Sequence, residues 1–333
     1  MSPCGRDTDE GIYTFIRALS SQMSYIGIYT YVAMTIESRQ ITLFEQFRQV
    51  LVNSLKHVFS TTEIMALIAQ LRAENSFPRS LSDRRFQKSL IEHGVLKEIS
   101  LSATYPFEKA RYHFGPFSDY ELALSLKPGG YLSHGTAAYL HNLIDRELKV
   151  IYVNKEQSPK NSKGNLTQAA IDRAFANKQR TSAYIVTHRK TRMVLLSGKH
   201  SGRIGVMKST GPQGEQLELT DLERTLIDIA VRPAYAGGAR AVARSYLSAL
   251  QKISVSRIAK LLQDLNYVYP YHQVVGFYLQ NAGQPPSALQ PLREQGLKFD
   301  FYLEHGMKQS AFDSTWRLYV PEEMFGEARE NQS

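Results

Sequence analysis

The hydrophobic period of this chain changes twice along its length, and that change limits the architectures open to it. Apolar side chains first recur every three or four positions: Phe44, Phe47, Leu51 and Leu55 in "ITLFEQFRQVLVNSL", Ile64, Leu67, Ile68 and Leu71 in "STTEIMALIAQLRAE", then Phe86, Leu90 and Ile91 in "FPRSLSDRRFQKSLIEHG". This is the spacing of one helix face. The runs "LKVIYVN", "SAYIVTH", "RMVLLSG" and "RIGVMKS" are instead short, apolar and β-branched, punctuated by Gly and Ser, and predict strands. Helical character returns in "TDLERTLIDIAVRP", "GGARAVARSYLSAL", "SRIAKLLQDL" and "YHQVVGFYLQNAG", before "STWRLYVP" alternates Trp316, Leu318 and Val320 as a closing strand. Helices and strands gathered into separate runs predict an α+β fold.

Local punctuation sharpens the N-terminal part. Ser60-x-x-Glu63, Ser118-x-x-Glu121 and Thr220-x-x-Glu223 each have capping-box spacing, in which the two side chains satisfy each other's free backbone donors. Ser82 is the expected N-cap of the third helix and Gly94 its left-handed stop. That helix is the basic one, with Arg84, Arg85, Gln87 and Lys88 off its apolar stripe. Two short strands, "VLKEISL" and "KARYHFG", come next, around the turn-like "SATYPFE". Three helices and a hairpin are the parts of a winged helix-turn-helix, which lays its last helix in the DNA major groove. From the helix, Arg84, Arg85 and Lys88 reach phosphates or guanine edges, Gln87 reads adenine and Ser82 stands at the helix start. Lys109, Arg111 and His113 serve on the wing. The same unit also docks proteins in other settings, and a basic helix face is common. The expected boundaries are an unassigned extension over 1–40, a winged-helix domain over 41–116, a mixed α/β domain over 117–325 with a basic sheet region and a helical end, and a tail over 326–333.

Charge placement points the same way. The chain carries +9 overall, yet from Lys155 to Lys208 twelve Lys or Arg face two acids, a local excess of +10, while the rest is nearly neutral. Such a concentration fits a polyanionic partner, and a nucleic-acid-binding surface is the reading it favours. The bland alternative is a solvated, highly soluble face. One cysteine, Cys4, excludes an internal disulfide framework and a cysteine-rich zinc site. The first forty residues lack a secretory pattern, and the run from Ile26 to Ile36 is too short to span a bilayer, so a cytoplasmic location is expected.

Any enzyme reading turns on "GGYLSHGTAAYLHNL", residues 129–143. It falls one residue short of the hydrolase elbow G-x-S-x-G, placing Tyr131 where the sharp turn needs a small residue. Neighbours on a regular helix or strand point apart, so Ser133 is expected to be an N-cap that accepts from first-turn amides, not a partner of His134. His134 and His141 stand seven apart, about 10 Å along a helix, where metal-binding pairs stand three or four apart. Glu147-Leu-Lys149 matches the E-x-K element of metal-dependent nucleases, with Asp119 or Asp145 as the second acid such a site needs. There is no Walker loop and no dinucleotide fingerprint. The expectation is a non-enzymatic protein without metal or cofactor, with a magnesium-dependent nuclease as the remote alternative.

Two segments, "YLSHGTAAYLH" and "ERTLIDIAVRPAYAGG", together with the late "FYLEHGM" and "WRLYVP", resemble the AbiE-type abortive-infection antitoxin family of bacterial type IV toxin-antitoxin pairs, over residues 60–321. The resemblance implies a winged-helix autorepressor that binds promoter inverted repeats through Ser82 to His93. Its C-terminal domain, with a basic surface implied to fall on Lys190, Arg192, Lys199, Arg203 and Lys208, would oppose a nucleotidyltransferase-type toxin without a stable complex. A DNA-binding or protein-docking subunit of a phage-defence complex, without antitoxin activity, is the alternative. The chain departs from the family pattern in carrying about forty extra N-terminal residues, and in the loop "AENSFPRSLSD", which exceeds a tight helix-turn-helix turn.

Overall fold

A computed structural model of the chain describes residues 42–74, 77, 81–106, 110–145, 149–159 and 165–324. They form two compact units. The first runs to Glu98 and takes back Tyr112–Phe114; the second comprises Ile99–Arg111 and the chain from Gly115 onward.

In the first unit, α1 (residues 42–53), β1 (Val58–Ser60), α2 (Thr61–Glu74) and α3 (Asp83–Glu92) precede β2 (Lys97–Glu98). The chain then contributes β3 (Ser102–Ala103) to the second unit's large sheet and returns as β4 (Arg111–His113), giving a small sheet in the order β1-β4-β2. The segment expected as a plain turn between two wing strands is therefore an excursion that pairs with another sheet, Ser102 opposite Thr187. The core obeys the apolar period: the rings of Phe44, Phe47 and Phe77 lie 5.7, 5.9 and 5.2 Å from that of Phe86. Leu55 departs from it. The helix ends before it, its φ is +53°, and it is 80% exposed.

Caps fall where local chemistry puts them. The Ser60 amide donates to Glu63 Oε2 (2.8 Å) and the Glu63 amide to Ser60 Oγ (3.3 Å), which closes the box at the head of α2. At the tail of α3, Gly94 at φ +68° lets the amide of Val95 reach Leu90 O (2.9 Å) and its own amide reach Ile91 O (3.0 Å), a Schellman stop with Val95 and Leu90 both buried.

The second unit is built on a seven-stranded sheet in the order β3-β7-β8-β6-β5-β10-β9. In chain order its elements are α4 (Asp119–Leu126), β5 (Tyr131–Leu132), α5 (His134–Leu140), β6 (Val150–Glu156), α6 (Gln168–Phe175), β7 (Ile185–His188), β8 (Thr191–Gly198), β9 (Val206–Thr210) and β10 (Gln216–Thr220). Then come α7 (Leu222–Val231), α8 (Ala239–Ala249), α9 (Val255–Leu265), α10 (Tyr271–Asn281) and α11 (Gln290–Arg293), and a second small sheet β11-β13-β12 from Phe301–Tyr302, Leu318–Pro321 and Ser310–Asp313. β6 and β8 run parallel over seven residue pairs, from Val150 opposite Arg192 to Glu156 opposite Gly198. The helices enclose a core containing Leu226, Val242, Tyr246, Ile258, Phe277 and Trp316. Gly276 on α10 is there because Trp316 is: a Cβ at that position would sit 2.3 Å from the indole ring.

The Ser118–Glu121 box at α4 forms as expected. The box expected at Thr220 does not. β10 carries the chain extended through Thr220, so Asp221 becomes the N-cap of α7 and accepts from the Arg224 amide at 2.8 Å. Among the described residues no helix is long and apolar enough to cross a membrane.

Candidate nucleic-acid interface

The α3 helix carries the basic side chains singled out in the sequence, and its own packing orients them. Phe86 and Leu90 are buried, and at about 100° per residue the exposed Arg84, Arg85 and Lys88 fall together on the opposite arc. Gln87 lies half-buried beside them, and Lys88 pairs with Glu92 at 3.4 Å, an exposed contact of small energetic weight. Ser82 is the N-cap and accepts from the Arg85 amide (3.4 Å). The start of the helix is pinned by Arg72 from α2, whose guanidinium reaches Asp83 Oδ1 (2.7 Å) and Leu81 O (2.6 Å). The pairing also offsets the one acid in the first turn of an otherwise cationic face.

The hairpin residues divide. His113 stands half-buried on β4 opposite Lys97, which is exposed on β2; Lys97 is a basic strand residue inside "VLKEISL" that no motif in the sequence marks out. Lys109 lies outside the described residues. Arg111 must be withdrawn as a DNA contact: it is 2% exposed, and its guanidinium donates to Ser125 O (2.8 Å), Ser125 Oγ (3.2 Å) and Ala110 O (3.0 Å). A charge that deep is kept by such hydrogen bonds, so Arg111 serves the interior and not the wing surface.

The +10 segment does not form one surface. Lys190 and Arg192 are exposed at the β7–β8 end of the sheet, whereas Lys208 is exposed on the edge strand β9. β8 and β9 are separated by four strand steps, about 19 Å at roughly 4.8 Å each. Two other cations are engaged internally. Lys199 donates to Leu265 O (2.7 Å) and to Asn266 O at the end of α9, where free carbonyls attract a cation. Arg203 donates to Gly129 O (2.8 Å) and pairs with Glu218 at 3.0 Å. Lys160 and Lys163 lie outside the described residues.

The opening of α5 corrects another expectation. Ser133 occupies the N-cap position but makes no capping bond; its Oγ instead lies 2.8 Å from His134 Nδ1, and both residues are buried. Adjacent side chains meet because His134 takes φ +53°, outside the regular conformations in which neighbours diverge. Burial pushes the imidazole down to about 4, so it is neutral at pH 7. Ser133 is fully enclosed, which leaves its hydroxyl out of reach of a substrate. His141 Nε2 lies 2.7 Å from Thr220 O, tying α5 to β10. Of the nuclease elements, Glu147 lies outside the described residues and Asp119 accepts from Thr191 Oγ1 at 2.5 Å. Among the described residues no group of three His, Cys, Asp or Glu is placed to hold a metal ion.

No protein-family model matches the chain, and no curated protein matches it, so the AbiE-type resemblance rests on its sequence segments. Among solved structures the chain is similar to the crystal structure of the Rv2827c protein from Mycobacterium tuberculosis, with a TM-score of 0.53 at 16% identity, covering 88% of this chain and 95% of that one. At that identity the likeness is one of fold.

Proposed function

We propose that this chain is a DNA-binding transcriptional autorepressor and the antitoxin of a type IV toxin-antitoxin pair, opposing a nucleotidyltransferase-type toxin. The observation that carries the DNA reading is the geometry of α3. A helix locked at its head by Ser82 and Arg72 and at its tail by Gly94 turns Arg84, Arg85 and Lys88 outward, opposite Phe86 and Leu90. Three helices and a small sheet with an antiparallel β2–β4 pair support reading the first unit as a winged helix-turn-helix, with α3 as the recognition helix and the β2–β4 pair as the wing. In that arrangement Arg84 and Arg85 bind phosphates or guanine edges, Gln87 reads adenine and Lys97 and His113 track the backbone. Lys190, Arg192 and Lys208 lie too widely apart on the second unit to extend that contact as one patch. The antitoxin role is supported by the sequence segments of the second unit.

Fluorescence anisotropy on the chain's own promoter tests the first part. Counterion release makes affinity fall steeply with salt, and the double change Arg84→Ala, Arg85→Ala reduces specific binding by at least about tenfold and lowers the salt slope by about two phosphate contacts. Unchanged promoter affinity in a folded double variant overturns the assignment. Co-expression with the adjacent toxin gene tests the second: growth rescue without a purifiable complex is the expected result, and no rescue removes the antitoxin role.

A further inference from the structure

A cleft of about 690 Å³ opens in the second unit where the parallel strands β6 and β8 end. Ligands of open α/β sheets bind in this place, outside the carboxyl ends of parallel strands. One wall comes from the residues just after β6 and β8, Gln157 to Pro159 and Lys199 to Ser201; the other comes from α7 and the tyrosine-rich connection between α9 and α10. Its size is within the roughly 300–1,000 Å³ typical of small-molecule sites.

The lining has three properties that together select a ligand. The first is charge. Asp228 is the only acid on it among the described residues and already holds Arg224, with Nε to Oδ1 at 2.8 Å and both side chains about one-twentieth exposed. Arg180 is exposed at the mouth with no side-chain partner among the described residues. Arg232 stands beside it, donating to Arg180 O at 2.8 Å and lying 6.0 Å over the Tyr235 ring. A cationic ligand would find no unpaired carboxylate here, and an anion finds two guanidinium groups. The second property is a set of polar groups with nothing to bind. Ser133 Oγ engages only His134 Nδ1, at 2.8 Å; the second ring nitrogen and the hydroxyls of Tyr267 and Tyr271 have no hydrogen-bond partner among the described residues, and none is sealed from solvent. A purely apolar ligand would strand all three. The third is aromatic surface: Tyr235, Tyr267, Tyr269 and Tyr271 all line the space, a wall suited to a planar ring.

We propose that this cleft binds a free nucleotide, with its phosphate held by Arg180 and Arg232 and its base placed among the tyrosines to meet the second ring nitrogen of His134 and the Tyr267 and Tyr271 hydroxyls. Inorganic phosphate alone would fill a small part of the space, and a nucleoside would leave the guanidinium groups unmet. The site lies wholly within the second unit, so it stands or falls separately from DNA recognition by α3.

Isothermal titration of the full chain with the four ribonucleoside monophosphates tests this. Inorganic phosphate, the four nucleosides and a single-stranded oligoribonucleotide serve as comparison ligands. At least one mononucleotide binds in a one-to-one ratio, with phosphate and its nucleoside each weaker by at least about tenfold. Arg180→Ala, a change of an exposed side chain, weakens that mononucleotide by about tenfold. Tyr267→Phe, which removes one oxygen, weakens it several-fold, and Arg244→Ala, an exposed cation on α8 outside the cleft, leaves it unchanged. Circular dichroism matched to the parent confirms that each variant is folded. The proposal is overturned if no mononucleotide binds at millimolar concentration, or if affinity survives both Arg180→Ala and Tyr267→Phe. It is also overturned if the oligoribonucleotide binds more tightly than its own mononucleotide with the same dependence on Arg180, which makes the ligand a strand.

Discussion

Replacing Asp228 by Ala should be among the most damaging single changes in the second unit. Its carboxylate holds Arg224 one turn earlier on α7, and the side chains are 5% and 6% exposed. Burial disfavours the guanidinium's charge; the Asp228 carboxylate, its hydrogen bond and the neighbouring Tyr267 and Tyr131 together outweigh this, so the group stays charged. Without Asp228 the guanidinium keeps Ile204 O at 2.6 Å but loses its counter-charge. An uncompensated charge at such a depth costs about 3–5 kcal/mol. For a unit of this size each kcal/mol moves the midpoint by about 2–4 °C, so the transition should fall by roughly 6–20 °C. The assay is specific to this unit: the chain has one tryptophan, Trp316, fully buried in the second unit's core, so its emission during urea unfolding reports that core. The control is Arg224→Met with Asp228→Leu, which removes both charges. The double variant should be more stable than Asp228→Ala alone, because the penalty belongs to the orphaned charge and not to the missing ion pair. A loss under about 1 kcal/mol for Asp228→Ala, or a double variant less stable than the single one, refutes the reasoning.

Other perturbations act on the same packing. Gly276→Ala drives a Cβ to 2.3 Å from the Trp316 ring, so it should cost at least about 1–3 kcal/mol and shift the tryptophan emission to the red. Gly94→Ala meets nothing within 4 Å but keeps φ at +68°, so its cost is conformational, about 1 kcal/mol, read as a lowered unfolding midpoint by circular dichroism. His134 is depressed from 6.5 to about 4; the unfolded chain therefore binds a proton that the native one refuses, and stability present above pH 6.5 is lost as pH falls towards 4. That loss is about 3 kcal/mol, and His134→Gln should flatten the dependence of the Trp316 transition on pH over that window; an unchanged slope would count against it. Arg111→Met should lower thermal stability while leaving the promoter's salt slope intact, the reverse of what a phosphate contact would give.

Much of this protein was legible residue by residue, where the determining interactions span five positions or fewer. The boxes at Ser60 and Ser118, the cap at Ser82 and the stop at Gly94 formed as expected because a hydroxyl and an amide three residues apart, or a glycine free to adopt positive φ, need nothing from the rest of the chain. The helical stripes and the four strand runs were equally visible. The failures share a different cause. Thr220 lost its box because a strand partnered elsewhere held it extended. Arg111 turned inward because Ser125, fourteen residues on, supplied acceptors, and β3 emerged from an apparent turn because β7 lay ready to pair with it. The +10 segment looked like one surface in a linear sequence, yet the strand order set Lys190 and Arg192 four strand steps from Lys208, and Lys199 and Arg203 are engaged by intramolecular partners. Ser133 and His134 are the clearest case. Side-chain chemistry predicted a cap, regular backbone geometry predicted divergence, and the left-handed turn that joins them at 2.8 Å is held by burial beneath Tyr152 and Tyr235, which no short window of sequence contains. Local hydrogen bonding is written in neighbours; burial and charge placement depend on strand order, and strand order is decided by contacts made scores of residues apart.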